Sequence, residues 1–121
     1  MISITRLLCD LPSYGDELRY RKGMTSLTRR PIVVWNCTSK CNLACMHCYS
    51  NSANKDYEGE LTTVEAKKMI LDLEEFRVPV LLFSGGEPLL RGDLFELNDF
   101  AHIHHLRTVI STNSTLITPE V

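Results

Sequence analysis

The sequence predicts an α/β fold built on a parallel sheet. Two observations predict it. Short apolar or β-branched runs alternate with amphipathic stretches in the order β-loop-α-β-loop-α-β-loop, the pattern that parallel sheets with covering helices produce. The central run, Val80-Leu81-Leu82-Phe83-Ser84, is apolar without a period of two, as suits a parallel strand covered on both faces.

The elements follow in order. Residues 1–30 are polar and mixed, punctuated by Pro12, Gly15 and Gly23, and form a lead-in to the regular part. Residues 31–121 carry three β/α units. Ile32-Val33-Val34-Trp35 is a buried strand. Leu61 to Arg77 is a helix: Thr62 and Glu65 make a capping box, Ala66, Ile70, Leu73 and Phe76 or Arg77 recur at helical spacing, and Pro79 stops it. The second strand, Val80–Ser84, runs into Gly85-Gly86-Glu87-Pro88. A second helix runs from about Asp93, with an Asp-x-x-Glu cap (Asp93, Glu96) and Leu94, Leu97 and Ala101 as its inner stripe. The third strand is Leu106–Ser111. Thr118-Pro119-Glu120 then has the form of a cap with proline at the first helical position.

An eight-unit barrel of about 250 residues takes about 30 residues per unit. The expectation is therefore the N-terminal part of a partial (β/α) TIM-like barrel, in a piece of a longer chain. A complete three-stranded domain is the other reading of the length. In either case the crossovers are right-handed, and the loops at strand C-termini are the expected site.

Composition narrows the function. The 121 residues are 44% hydrophobic and 23% charged, with a net charge of −2. That balance offers no basic field for nucleic acid or anionic membrane. Mean hydropathy is −0.07, and no apolar run reaches the length of a membrane span. After Arg6 only Leu7-Leu8-Cys9 is apolar before Asp10, too short for a signal-peptide core, so a cytoplasmic protein is expected. Three of the five cysteines fall within eight residues, Cys41-Asn-Leu-Ala-Cys45-Met-His-Cys48. Such clustering without an export signal indicates metal or redox chemistry rather than disulfides.

Thiolates are the soft ligands of iron–sulfur clusters. A loop with Cys41-x3-Cys45-x2-Cys48 supplies three corners of a cubane and leaves one iron open to a small molecule. The competing reading is a structural zinc site with Cys37 as fourth ligand, although zinc sites more often pair CxxC units. Cys9 and Cys37 are read as small core residues. In Gly85-Gly86-Glu87 the glycines let backbone approach a ligand and the glutamate offers an acceptor to an ammonium group. Ser111, Thr112 and Asn113 place short polar side chains at the end of the third strand, suited to a ribose or a carboxylate. His102, His104 and His105 at a helix C-terminus are favoured there by the dipole. Arg19, Arg21, Lys22, Arg29 and Arg30 are read as a solvated face.

The cysteine loop after a strand, with Gly85-Gly86-Glu87 one unit later, resembles the signature of the radical SAM superfamily. That resemblance implies a [4Fe–4S] cluster on Cys41, Cys45 and Cys48, and S-adenosylmethionine as the second cofactor. Its amino and carboxylate groups would chelate the open iron, and reductive cleavage would give a 5′-deoxyadenosyl radical. His47, just before the last cysteine, would lie beside the adenine. Gly85, Gly86 and Glu87 would receive the methionine amino group, with Ser111 and Asn113 as further contacts. Related sequences often read Ser-Thr-Asn-Gly at the last position, where this chain has Ser114.

Three further stretches, Met1-Ile2-Ser3-Ile4-Thr5-Arg6-Leu7-Leu8, Gly15-Asp16-Glu17-Leu18-Arg19-Tyr20 and Pro31-Ile32-Val33-Val34-Trp35-Asn36-Cys37-Thr38, resemble the radical SAM proteins of heme d1 and alternative heme biosynthesis, nearest in kind to didecarboxysiroheme deacetylases. The resemblance implies an enzyme acting on side chains of siroheme-derived tetrapyrroles, with an electron donor such as ferredoxin or flavodoxin. The alternatives are a SPASM-type peptide-modifying maturase and a non-catalytic iron–sulfur or zinc module.

Overall fold

A run of β-branched and aromatic residues after Pro31 forms β1, Val33–Thr38, the first strand of a three-stranded parallel sheet. The structure, a computed structural model, describes residues 30–118. The lead-in, Cys9, Arg19, Arg21, Lys22, Arg29 and the cap expected at Thr118-Pro119-Glu120 lie wholly or partly outside the described residues. Helix α1 is Thr63–Glu75, β2 is Leu81–Gly85, α2 is Leu94–Ile103 and β3 is Thr108–Ile110. A single 3-10 turn, Pro88–Leu90, lies between β2 and α2.

The strand order is β1-β2-β3. Trp35 stands opposite Phe83, and Phe83 opposite Ile110. The alternation of strand and helix expected from the sequence is thus present as an α/β unit with a parallel sheet. Phe83, Leu81 and Ile70 are among its largest fully buried side chains, and they share one core with Ala66, Leu94, Leu97, Ala101 and Leu106. Both helices therefore turn their apolar stripes onto the sheet. Emptying the centre of this core, as in Phe83→Ala, costs about 3–5 kcal/mol by the usual cavity rule.

β1 runs three residues further than its apolar run suggests. The ladder slips between Asn36 and Thr38, so that Cys37 is the extra, bulged residue. Cys37 is 1% exposed and lies in the core. Burial pushes its thiol up to about 11, against the opposing pull of the Arg91 charge.

Helix α1 begins as expected. Thr62 Oγ1 accepts from the Glu65 N–H, and the Glu65 carboxylate accepts from the Thr62 N–H, a closed capping box. Its stop differs from the expectation that Pro79 ends it. Arg77 adopts φ 58, Val78 N–H reaches Leu73 C=O, and Arg77 N–H reaches Glu74 C=O. This is a Schellman ending in which arginine occupies the left-handed position usually held by glycine. α2 ends the same way at His105, φ 60, with Leu106 N–H on Ala101 C=O. In each case the next residue, Val78 or Leu106, is buried and holds the turn. Asp93 stands at the N-cap of α2 but makes no side-chain capping bond, because its carboxylate is engaged elsewhere.

Candidate functional site

Leaving Thr38, the chain enters a long connection that carries Cys41, Cys45 and Cys48 and returns to α1. Its two limbs are tied together: Cys41 N–H donates to Ala53 C=O at 3.1 Å, in an isolated bridge of Lys40 with Ala53. Within it, Cys48 N–H donates to Cys45 C=O and Asn51 N–H to Cys48 C=O, so the last two cysteines sit on successive turns. Glu60 secures the entry by accepting from Thr38 Oγ1 at 3.0 Å and from Ser39 N–H at 2.7 Å.

The loop after β2 holds this connection by its backbone. Gly86 N–H donates to Thr38 C=O and Glu87 N–H to Lys40 C=O, each at 2.8 Å. A β-carbon on Gly85 would overlap the Thr38 carbonyl oxygen, and one on Gly86 the Lys40 carbonyl oxygen. Gly85 also has φ +126, which side chains rarely adopt. The sequence reading assigned these glycines to close approach by a ligand. In the structure the group that approaches closely is the base of the cysteine loop itself.

Glu87 is fully buried. Oε1 accepts from Leu89 N–H at 2.9 Å and from Thr112 Oγ1 at 2.8 Å, and Oε2 accepts from Asn113 N–H at 2.7 Å. The glutamate expected to face a ligand ammonium thus joins the loop after β2 to the loop after β3. A carboxylate has about four acceptor positions, and three protein donors occupy three of them.

The loop after β3 reaches back to the cysteines. Asn113 Nδ2 donates to Asn42 Oδ1 at 2.9 Å, Asn42 Nδ2 donates to Thr115 Oγ1 at 2.8 Å, and Thr115 Oγ1 donates to Asn113 Oδ1 at 2.7 Å. Asn113 Nδ2 is 4.0 Å from Cys41 Sγ, and Leu43 N–H points at the same sulfur from 3.4 Å. Ser111 N–H continues the ladder to Phe83 C=O. Ser114, in place of the glycine of related sequences, holds φ 65, the left-handed turn a glycine would take.

The three thiols differ in setting. Cys41 is buried, Cys48 half-buried and Cys45 exposed, and all are free, as is Cys37. Ser50 Oγ lies 3.3 Å from Cys48 Sγ. That hydroxyl, with the N–H groups of Ser52, Ser50 and Asn51, brings the Cys48 thiol down to about 7. The donor set fits an iron–sulfur group: three soft ligands on one loop, two of their sulfurs already facing hydrogen-bond donors. Cys37, the fourth ligand a zinc reading requires, is turned into the core. Among the described residues no group of three or more His, Cys, Asp or Glu converges on a single-ion site.

Arg91 was not singled out by the sequence. Its guanidinium lies 5.1 Å over the Trp35 ring. Nη1 donates to the carbonyl of the bulged Cys37 at 2.6 Å, and Nη2 donates to Leu61 C=O at 2.8 Å and to Asp93 Oδ2 at 3.0 Å. Nε faces Asp93 Oδ1 at 2.7 Å, close enough for an ion pair but out of line for a hydrogen bond. Asp93 in turn accepts from Thr63 Oγ1. One side chain therefore braces the end of β1, the entry to α1 and the entry to α2.

Of the residues expected at a site, Gly85 is the last residue of β2, and Cys41, Cys45, Cys48, Gly86, Glu87, Ser111 and Asn113 lie on loops at the same end of the sheet. His47 is exposed on the cysteine loop. His102 and His105 are exposed and His104 rests on Phe100, at the end of α2 that leads into the start of β3. Those histidines are at the opposite end of the sheet from the cysteines. Asn42, Tyr49 and Ser50 were passed over. Tyr49 donates to Asn36 Oδ1 at 3.1 Å and lies 3.0 Å from Ser84 Oγ, linking the cysteine loop to the outward face of β1 and β2. Only Ser50 had a sequence signal, its place two residues after a ligand-type cysteine. The others act across 13 to 73 residues.

With three loops of this kind at the C-terminal ends of parallel strands, comparison with known proteins is decisive about class. The radical SAM superfamily model matches residues 35–121, and the chain belongs to that superfamily. Its members use S-adenosylmethionine with an iron–sulfur cluster. Among curated relatives, Fe-coproporphyrin III synthase of Methanosarcina barkeri is 45% identical over all of this chain and 33% of its own length. Pre-heme d1 synthase of Dinoroseobacter shibae is 49% identical over 73% of this chain and 22% of its own. A mycofactocin maturase of Mycobacterium tuberculosis is 46% identical over 74% of this chain and 22% of its own. The chain thus spans a third or less of the length of these relatives. No helix among the described residues is long and apolar enough to cross a membrane.

Proposed function

We propose that this chain is the cofactor-binding part of a radical SAM enzyme, with Cys41, Cys45 and Cys48 as the three protein ligands of a [4Fe–4S] cluster. The observation that carries the reading is the assembly of the cysteine loop with the two loops after β2 and β3. Gly86 and Glu87 hold its base through Thr38 and Lys40, and Asn113 holds its first turn through Asn42. A loop bound on both sides can keep three thiolates in place while leaving its outer side open.

When bound, the cluster and S-adenosylmethionine supply reductive cleavage of the sulfonium to methionine and a 5′-deoxyadenosyl radical, which takes hydrogen from the substrate. The chain's own residues position these groups. Asn113 and Leu43 face the Cys41 sulfur, and Ser50 faces that of Cys48. His47 is assigned to the adenine side. The Gly85-Gly86-Glu87 loop is assigned to the methionine amino group. Ser111 and Asn113 are assigned as further cofactor contacts. The run β1-α1-β2-α2-β3 is assigned as the start of a (β/α) barrel whose other strands would complete the substrate side.

The substrate reading is a siroheme-derived tetrapyrrole whose side chains are removed, in heme or heme d1 biosynthesis. It is supported by the two relatives named for Fe-coproporphyrin III and pre-heme d1 synthesis. Single electrons would come from a cytoplasmic ferredoxin or flavodoxin. Similarity to a mycofactocin maturase supports a second reading, a peptide-modifying enzyme of SPASM type. Anaerobic incubation of the full chain with S-adenosylmethionine and dithionite tests both. The tetrapyrrole reading expects 5′-deoxyadenosine whose yield rises with didecarboxysiroheme, together with a lighter tetrapyrrole by mass spectrometry. Stimulation by a precursor peptide instead would transfer the assignment to the second reading, and no 5′-deoxyadenosine at all would remove both.

A further inference from the structure

Ser50 stands where three groups meet. Its Oγ is 3.3 Å from Cys48 Sγ, 2.7 Å from Ser52 Oγ and 3.3 Å from the Gly85 carbonyl oxygen. A hydroxyl has one proton to give, so the three contacts need an order. A cysteine that ligates metal has lost its own proton. Between Cys48 Sγ and Ser50 Oγ the only hydrogen left is then that of Ser50. The competing acceptor, Gly85 C=O, is neutral and, at 3.3 Å, lies beyond the usual range for an O–H···O bond. A separation of 3.3 Å is short for a hydrogen bond to the larger sulfur, and bonds to charged acceptors are the stronger kind. Ser52 completes the order by donating to Ser50, which strengthens the bond that Ser50 makes.

We propose that Ser50 is a positioning residue whose hydroxyl donates to the Cys48 thiolate and thereby raises the reduction potential of the cluster held on this loop. The inference rests on the cluster reading given above and adds to it what tunes the electron step. Reduction adds negative charge to the cluster and its sulfurs. A donor aimed at one ligand sulfur stabilises the reduced form more than the oxidised form, and hydrogen bonds to sulfur are among the determinants of cluster potential. The chain Ser52–Ser50–Cys48 also touches the loop after β2 at Gly85, so the same hydroxyl feels the loop assigned to S-adenosylmethionine.

The test is a redox titration, followed by electron paramagnetic resonance, of the full chain loaded anaerobically with iron and sulfide. Wild type is compared with Ser50→Ala, Ser50→Thr and Ser52→Ala. Ser50→Ala is expected to carry the wild-type content of iron and sulfide. At a fixed solution potential its ratio of reduced to oxidised cluster should fall roughly fivefold to tenfold, tenfold being about 59 mV for one electron. Ser50→Thr, which keeps the hydroxyl, should stay at the wild-type potential, and Ser52→Ala should shift in the same direction by less. A loaded Ser50→Ala protein with an unmoved potential would overturn the proposal and leave the cluster reading intact. So would a Ser50→Thr protein that follows Ser50→Ala, or a Ser50→Ala protein that takes up no cluster, since Ser50 would then serve structure alone. A wild-type chain that takes up no iron and sulfide would overturn the cluster reading itself, and this proposal with it.

Discussion

The α-carbon of Gly86 lies so near Lys40 that a methyl group there would overlap the Lys40 carbonyl oxygen. The same carbonyl accepts the Glu87 N–H at 2.8 Å. The Gly-Gly-Glu loop and the base of the cysteine loop are therefore one backbone assembly, and the size of one side chain decides whether it can form.

Gly86→Ala should destabilise the chain by about 1–3 kcal/mol, the usual range for forcing an extra carbon into a packed site, and should lower iron uptake. Gly92→Ala is the control, because nothing lies within 4 Å of a β-carbon at that position. Denaturant midpoints of the two variants check this. Equal midpoints would show that the Lys40 carbonyl moves aside freely.

Arg91→Lys should cost about 2 kcal/mol or more. A lysine keeps the charge but cannot serve the Cys37 and Leu61 carbonyls and the Asp93 carboxylate together. The pH dependence follows from Asp93. Burial alone would raise its carboxyl, but hydrogen bonds from Arg91 and Thr63 and the Arg91 charge hold it below the ordinary 3.8. A folded value below the unfolded one means the contribution is fully present above about pH 4 and is lost as pH falls through the depressed folded value. Thermal melts from pH 7 downward should therefore show a shallower acid loss in Asp93→Asn than in wild type.

Both helices end on non-glycine residues with positive φ, Arg77 and His105. Arg77→Gly and His105→Gly should each leave stability unchanged or raise it by up to about 1 kcal/mol, since strain is relieved while chain entropy is added. β-branched replacements at the same positions should lower it. Thermal unfolding of the four variants measures the difference.

In the chain without iron, Cys48 should alkylate readily near pH 7, because Ser50 and the neighbouring amides favour its thiolate. Cys37, pushed up to about 11 by burial, should stay unmodified under the same conditions. Mass spectrometry of iodoacetamide-treated protein over pH 6–9 would read the order. Labelling of Cys37 before Cys48 would contradict the environments described.

Much of this was legible in the residues because it is local. The Thr62–Glu65 capping box and the Leu94, Leu97 and Ala101 stripe depend on spacing within one or two turns, and both are present. The clustering of cysteines and Gly85-Gly86-Glu87 at strand ends followed from element order. What escaped is non-local. The bulge at Cys37 depends on the partner strand, and its carbonyl is satisfied by Arg91 from 54 residues away. Asp93 has the sequence of a helix cap, yet its carboxylate is more strongly held by a buried guanidinium than by the amides it would cap. Glu87 looked like a free acceptor because nothing near it in sequence shows that Thr112 and Asn113 fold back onto it. Pro79 looked like the helix stop because a left-handed arginine two residues earlier has no composition cue.

The central claim is that Cys41, Cys45 and Cys48, and not Cys37, hold the cluster. Iron and acid-labile sulfide in the anaerobically loaded full chain and in four Cys→Ala variants test it most directly. Relative to wild type, Cys41→Ala, Cys45→Ala and Cys48→Ala should each lose about four iron and four sulfide per chain, with the signal of the reduced cluster, while Cys37→Ala keeps both. Loss of the cluster in Cys37→Ala together with its retention in Cys41→Ala would contradict the assignment.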